Sequence, residues 1–311
     1  MNILITGVGG PAGSSLATQL NARGHRVIGV DMHPVQSTDL TEFVRVPAAR
    51  DKSYVGVLRD IIRDHDVSLI IPTVSEELPI LSGAPNRELL ESTGALLMIA
   101  SAESVSIADD KYHTMLVLED DSVPVPDFIR GDLYSRPSAA RFLPDQDVIV
   151  KPRVSRGGRG VRLVKATQLT DGSLEPSADD LIQRFAPGRE FAPMLFRNPE
   201  TGQVEVCVVV EKTELREGLV GNAVSVERCD QDTISNHVAH VATAAVLSLG
   251  LVGPVDLDIR LSADGQPLVL EANARFGANS ATAPEMVDAL LQFASTKTPN
   301  AMDTTNAMDN A

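Results

Sequence analysis

Val255-Asp256-Leu257-Asp258-Ile259-Arg260-Leu261 and Pro267-Leu268-Val269-Leu270-Glu271-Ala272-Asn273 flank the dipeptide Asp264-Gly265, and the two runs read as the arms of an antiparallel hairpin. With Asp264-Gly265 as a two-residue turn, Asp258 falls opposite Glu271 and Asp256 opposite Asn273. Side chains alternate across a strand, so these four share one face. Leu257, Ile259, Leu268 and Leu270 then take the other face, in the core. Like charges directly opposed destabilise a sheet. A cation between them removes the conflict, and hard oxygen ligands of this kind select Mg²⁺, held between one or two carboxylates and substrate phosphates. The plain alternative is a solvated acidic face on a surface hairpin, and a longer turn would shift the register and spoil the pairing.

A phosphate cradle lies upstream. Val148-Ile149-Val150-Lys151 reads as a buried strand ending in a lysine, followed by Ser155-Arg156-Gly157-Gly158-Arg159-Gly160. Glycines let consecutive backbone N–H groups face an anion, and the lysine adds charge. The spacing is not that of a Walker loop. A second lysine, Lys111 behind Asp109-Asp110, could approach the same phosphates, although either lysine could also be a solvated surface cation.

The N-terminal stretch Thr6-Gly7-Val8-Gly9-Gly10-Pro11-Ala12-Gly13 follows a strand and opens a helix, with Asp31 ending the next strand. Those are parts of a dinucleotide fingerprint. A nicotinamide dehydrogenase of this form needs a Tyr-x-x-x-Lys pair, and none of Tyr54, Tyr112 or Tyr134 has Lys four residues on. The turn therefore reads as close strand–helix packing without a bound dinucleotide.

Strands at Ile3–Thr6, Arg26–Asp31 and Leu69–Pro72 alternate with helices after Gly13 and near Tyr54–Arg63, which implies a parallel sheet covered on both faces. From Ala102 the pattern changes. A helix around Asp110–Leu118, a strand at Val161–Val164, a long strand at Val204–Lys212 and a helix near Asn236–Leu249 precede the hairpin. Ser295–Ala311 repeats Asn-Ala-Met-Asp and reads as a disordered tail.

The chain has 311 residues, 27 Lys+Arg against 42 Asp+Glu, and a net charge of −15, which disfavours nucleic acid and anionic membrane surfaces as partners. The apolar run Val241–Val255 is too short to span a bilayer. Met1–Ile5 lacks a secretory flank, and Cys207 and Cys229 have no metal-type spacing, as in a reducing compartment. These features predict a cytoplasmic protein.

Together the pieces resemble the ATP-grasp superfamily, in a carbamoyl-phosphate-synthase-like branch, over nearly the whole chain to about Phe293. The resemblance implies an α/β fold, α+β in its C-terminal part. A Rossmann-like pre-ATP-grasp domain (1–101) would precede ATP-grasp subdomains at 102–187 and 188–294, with the tail at 295–311. Lys111 and Lys151 look like the ATP-phosphate lysines, and Ser155, Gly157, Gly158 and Gly160 like the loop closing over the phosphates. Gln183, Arg184, Phe185 and Glu190 fall where the adenine hinge lies, with backbone near Phe185 on adenine and Glu190 on the ribose.

Leu270–Gly277 looks like the family's E-x-N-P-R motif, which makes Asp258, Glu271 and Asn273 metal ligands and sets Arg275 on the γ-phosphate or acyl phosphate. Ala274 replaces the usual Pro, Gln183 a frequent Glu, and Asp258 a Gln or Glu of some members. The implied activity is ATP-dependent carboxylate–amine ligation through an acyl phosphate, with ATP and Mg²⁺ (Mn²⁺ as substitute) and small-molecule carboxylate and amine substrates. A homodimer is compatible with this reading. A nicotinamide oxidoreductase and a non-catalytic nucleotide-binding module are the other readings. Arg156 and Arg159 fit an acidic substrate or a solvated loop, and Glu76 and Glu77 lie within reach of the interdomain cleft.

Overall fold

The computed structural model describes residues 1–134, 146–216 and 223–297. The first unit contains β1 (Asn2–Thr6), α1 (Pro11–Ala22), β2 (Arg26–Asp31), β3 (Glu42–Arg45), α2 (Tyr54–Asp64), β4 (Leu69–Ile71), α3 (Leu78–Ser82), α4 (Ala84–Glu91) and β5 (Leu96–Leu97). Its strands form a parallel sheet in the order β3-β2-β1-β4-β5. Ile3, Leu4 and Ile5 are all buried, as a central strand covered on both faces requires.

Two helices follow and meet at Asp110: α5 (Ala102–Asp109), which the sequence pattern does not predict, and α6 (Lys111–Asp120), the helix expected around Asp110–Leu118. Asp110 ends the first and caps the second. A four-stranded sheet, β6-β9-β7-β8, is built from β6 (Phe128–Arg130), β7 (Asp147–Pro152), β8 (Arg162–Lys165) and β9 (Asp180–Arg184), with α7 (Ala166–Thr170) behind it. Val148, Val150 and Ile182 give this sheet a small core of its own.

The third sheet, β12-β11-β10-β13-β14, contains β10 (Glu190–Arg197), β11 (Val204–Leu215), β12 (Ala223–Arg228), β13 (Gly253–Leu261) and β14 (Pro267–Asn273). Helices α8 (Thr233–Ser248) and α9 (Pro284–Lys297) pack on it. One apolar core runs from Leu4, Ile28 and Ile70 through Val105 and Met115 to Leu257 and Val269, joining the first sheet to the third. Ser295–Lys297 close α9, and the rest of the predicted tail lies outside the described residues.

The hairpin differs instructively from its sequence reading. The turn is longer than two residues: Ser262 pairs with Gln266, and Gly265 adopts φ +83°. Near the turn Leu261 therefore faces Pro267 and Ile259 faces Val269, a register one residue off the expected one. A β-bulge at Leu270 shifts it back, so Asp258 still faces Glu271 and Asp256 still faces Asn273. Val269 takes the fully buried core place expected of Leu268 and Leu270. Leu270 turns instead into a pocket, described next.

Candidate active site

The second and third sheets face each other across one pocket. Pairing of Ile149 with Gln183 and of Lys151 with Leu181 sets Ile149, Lys151 and Gln183 on a common face of β7 and β9, opposite the small core. Lys212, Asp258, Arg260, Leu270 and Glu271 line the facing wall. The segment Arg184–Glu190 joins the sheets at the pocket's edge. Gly188 is required there, because a Cβ would lie 2.6 Å from the Leu261 carbonyl oxygen.

Each lysine is placed by its neighbours. Asp110 accepts from the Tyr112 amide at 3.0 Å and binds the Arg153 guanidinium with both carboxylate oxygens. This starts α6 at Lys111, a position where the helix dipole disfavours a cation. Lys111 is nonetheless 3% exposed, and its Nζ donates to the Ser155 carbonyl at 2.6 Å and lies 3.4 Å from Glu271 Oε1. Lys151 Nζ donates at 3.1 Å to the carbonyl of Leu270, the bulged residue. Burial pulls the Lys151 ammonium down to about 8, although Glu271 favours its charge.

Lys212 escaped the sequence reading. It stands opposite Glu190 on the neighbouring strand and donates to Glu190 Oε1 at 2.8 Å and Asp258 Oδ1 at 2.6 Å. Burial opposes its charge, but the two carboxylates outweigh burial and raise its pKa. Arg260 was also missed. It lies across from Glu190, 3.3 Å from Glu190 Oε2, with its guanidinium 4.7 Å over the Phe185 ring. Period-two alternation carried both signals, since Lys212 follows the inward Val208 and Val210, and Arg260 follows Asp256 and Asp258.

Asp258 and Glu271 are opposed as the alternation predicts, and each carries an ammonium: Lys212 on Asp258, Lys111 on Glu271. The repulsion that points to a cation is thus already relieved by two lysines. Among the described residues no group of three His, Cys, Asp or Glu side chains is placed to hold a metal. Asp258 and Glu271 line the pocket and Asn273 a neighbouring one shared with Glu271 and Lys111, a sparse oxygen set of the chemistry that Mg²⁺ shared with phosphates takes. Beside them Asp256 is buried, with Oδ1 lacking a hydrogen-bond partner. Burial raises its pKa to about 6, with Arg275, 3.4 Å from Oδ2, opposing the rise.

Within the hinge, the Phe185 amide donates to the Asp147 carbonyl at 3.1 Å, and Ala186 lines the pocket beside it. Arg184 pairs with Asp127 at 2.8 Å. In the glycine loop, Gly158 lines the pocket, Gly157 faces a second cleft, and Gly160 at φ +77° packs on the Pro152 ring. Arg156 forms an ion pair with Glu76 across that cleft.

The second cleft is bounded by the N-terminal glycine turn, Tyr54, Glu77, Arg159 and Arg275. Asp31 accepts from the Gly9 amide at 3.0 Å and the His33 amide at 2.9 Å, one on each carboxylate oxygen, so a ribose diol would have to share both oxygens with the backbone. Glu77, fully buried, accepts from Thr6, Tyr54 and the Thr73 and Val74 amides, and so fixes the loop whose Ser75 hydroxyl accepts from Arg275 at 3.3 Å.

A family model described as an ATP-grasp domain matches residues 108–279, more than half of the chain. No curated protein matches. Among solved structures the chain is similar to an L-amino acid ligase from Bacillus licheniformis, at TM-score 0.67 and 18% identity over 90% of this chain and 68% of that one. It is similar to N5-carboxyaminoimidazole ribonucleotide synthetase from Thermotoga maritima at TM-score 0.62 and 22% identity, over 88% and 68%. A biotin carboxylase from Campylobacter jejuni, solved as a β,γ-ATP complex, aligns at TM-score 0.66 and 14% identity, over 95% and 70%. At these identities the likeness concerns the fold. With the family match and the pocket between the two antiparallel sheets, it establishes that the chain belongs to the ATP-grasp family.

Proposed function

We propose that the protein is an ATP-dependent carboxylate–amine ligase, with the pre-ATP-grasp unit at 1–101 and the two subdomains at 102–187 and 188–294. One observation supports this reading above the rest: Lys111, Lys151 and Lys212 converge with Asp258 and Glu271 where the two sheets meet. Gln183, Arg184, Phe185 and Glu190 receive the nucleoside. Lys111 and Lys151, with Ser155, Gly157, Gly158 and Gly160, receive the phosphates. Asp258, Glu271 and Asn273 would hold Mg²⁺, which supplies neutralising charge to the triphosphate when bound.

Arg275 lines the second cleft, tied to Asp256 and Ser75. Held there, it meets charge developing on the γ-phosphoryl group as a substrate carboxylate oxygen attacks phosphorus and the bond to ADP breaks. An amine then attacks the acyl carbon, phosphate leaves, and the amine proton passes to solvent. The glycine loop excludes water, so that the amine arrives first. The second cleft, with Arg159 and Arg275 on its wall, receives the acid.

Substrates are small molecules and the site is cytoplasmic. No described helix is long and apolar enough to cross a membrane. The test is acid-dependent release of ADP from Mg-ATP across a panel of amino and keto acids. Turnover with one acid, lost in Glu271→Ala, is the expected result, and NAD(P)H binding without any ATP response would overturn the reading.

A further inference from the structure

The second cleft has two unlike ends. Every lysine or arginine that lines it, namely Arg156, Arg159 and Arg275, comes from the glycine loop or from the segment after β14. Glu76 pairs with Arg156, while the Arg159 side chain has no partner among the described residues. Ser75 lines both this cleft and the small pocket that holds Lys111 and Glu271, so the cationic end adjoins the phosphate site. The other end is the carboxyl edge of the parallel sheet, where open sheets of this kind take their ligands. Pairing of Asp31 with Arg45 sets Met32 and the segment after β3 side by side there. Val46 is buried, whereas Met32 is 46% exposed, its carbonyl held by Arg45 at 3.0 Å. Pro47 and Ala48 complete an apolar slot. Its carboxylates are already engaged, Asp31 by two backbone amides and Glu77 by two hydroxyls and two amides. A second anionic group on a ligand would meet those acids with no lysine or arginine to hold it.

We propose that the acid substrate is a monocarboxylate with an apolar tail, its carboxylate among Arg156, Arg159 and Arg275 and its tail in the slot of Met32, Val46, Pro47 and Ala48. Charge at one end of the cleft and apolar surface at the other fix which way the acid enters, carboxylate toward the phosphates. The inference rests on the ligase reading above and narrows it to acids with a single negative group.

The experiment measures ADP and hydroxamate formed by the full chain from Mg-ATP, with hydroxylamine as nucleophile, over two series of acids: acetate to hexanoate, and glycine, alanine, leucine and phenylalanine. Succinate, glutarate, aspartate and glutamate are the comparators with a second carboxylate. In at least one series kcat/KM should climb about fourfold per buried methylene, which makes on the order of a hundredfold from acetate to hexanoate. The comparators should show no such gain. Met32→Asp places a carboxylate in the slot at an exposed position; it should flatten the climb and leave the Kd of Mg-ATP, read by calorimetry, unchanged. Turnover indifferent to tail length, turnover best with a second carboxylate, or a climb that persists in Met32→Asp would overturn the proposal and leave the ligase reading standing. A chain that binds Mg-ATP and turns over none of these acids would also overturn it, and one that does not bind Mg-ATP would overturn both. The wild-type series decides the matter even if the variant fails to fold.

Discussion

Replacing Lys212 with Met removes the ammonium that joins Glu190 to Asp258, leaving Glu190 with Arg260 alone and Asp258 without its cation. Stripping one partner from a fully buried ion pair costs about 3–5 kcal/mol. Glu190 keeps Arg260 at 3.3 Å, and the Asp258 side chain is 29% exposed and screened by water, so the lower figure applies. At roughly 2–4 °C per kcal/mol for chains of this order of size, about 3 kcal/mol lowers Tm by about 6–12 °C. Differential scanning fluorimetry reads this directly. Mg²⁺ should restore part of the loss in Lys212→Met and stabilise the wild-type chain less, because the freed Asp258 then gains a cation. A variant melting within about 1 °C of wild type, or a Mg²⁺ response no greater than that of wild type, would refute the bridging role assigned to this lysine.

Four further outcomes follow from the same geometry. Glu271→Ala should abolish turnover and leave the fold intact by circular dichroism, since Lys111 keeps its bond to the Ser155 carbonyl; an active variant would reduce the hairpin to a solvated face. Lys151, with its pKa near 8 against 10.5 for a free lysine, gives up its proton first in the native state, so its effect on stability rises with pH between those values while phosphate affinity falls. Calorimetry across pH 7–10 should show ATP binding weaken above about pH 8, and a flat profile would contradict the assignment. Arg275→Ala should lower turnover more than ATP affinity, because its partner charge develops during transfer. NAD(P)H should leave Tm unchanged, with Asp31 already committed to the Gly9 and His33 amides.

Much of this arrangement was legible in the sequence, for identifiable reasons. The parallel sheet follows from apolar runs too short to be helices, and the opposition of Asp258 and Glu271 follows from period-two alternation. That opposition nevertheless depends on two features the sequence conceals. The longer turn displaces the register, and the Leu270 bulge restores it while freeing a carbonyl for Lys151. Turn length and bulge position depend on packing between strands, and Leu268 and Leu270 were misplaced in the core for that reason. Lys212 and Arg260 lie on strands whose alternation was readable, but their partner Glu190 opens β10, a strand absent from the sequence reading. The Arg156–Glu76 ion pair joins residues eighty positions apart, and no local pattern encodes it.

The central claim is that a carboxylate oxygen is phosphorylated in the pocket between the two sheets. Its most direct measurement starts from the acid identified by the turnover screen, labelled with ¹⁸O in its carboxylate and incubated with Mg-ATP and hydroxylamine. The account predicts ADP, inorganic phosphate carrying ¹⁸O, and the acyl hydroxamate in equal amounts. AMP with pyrophosphate, or phosphate free of the label, would contradict it.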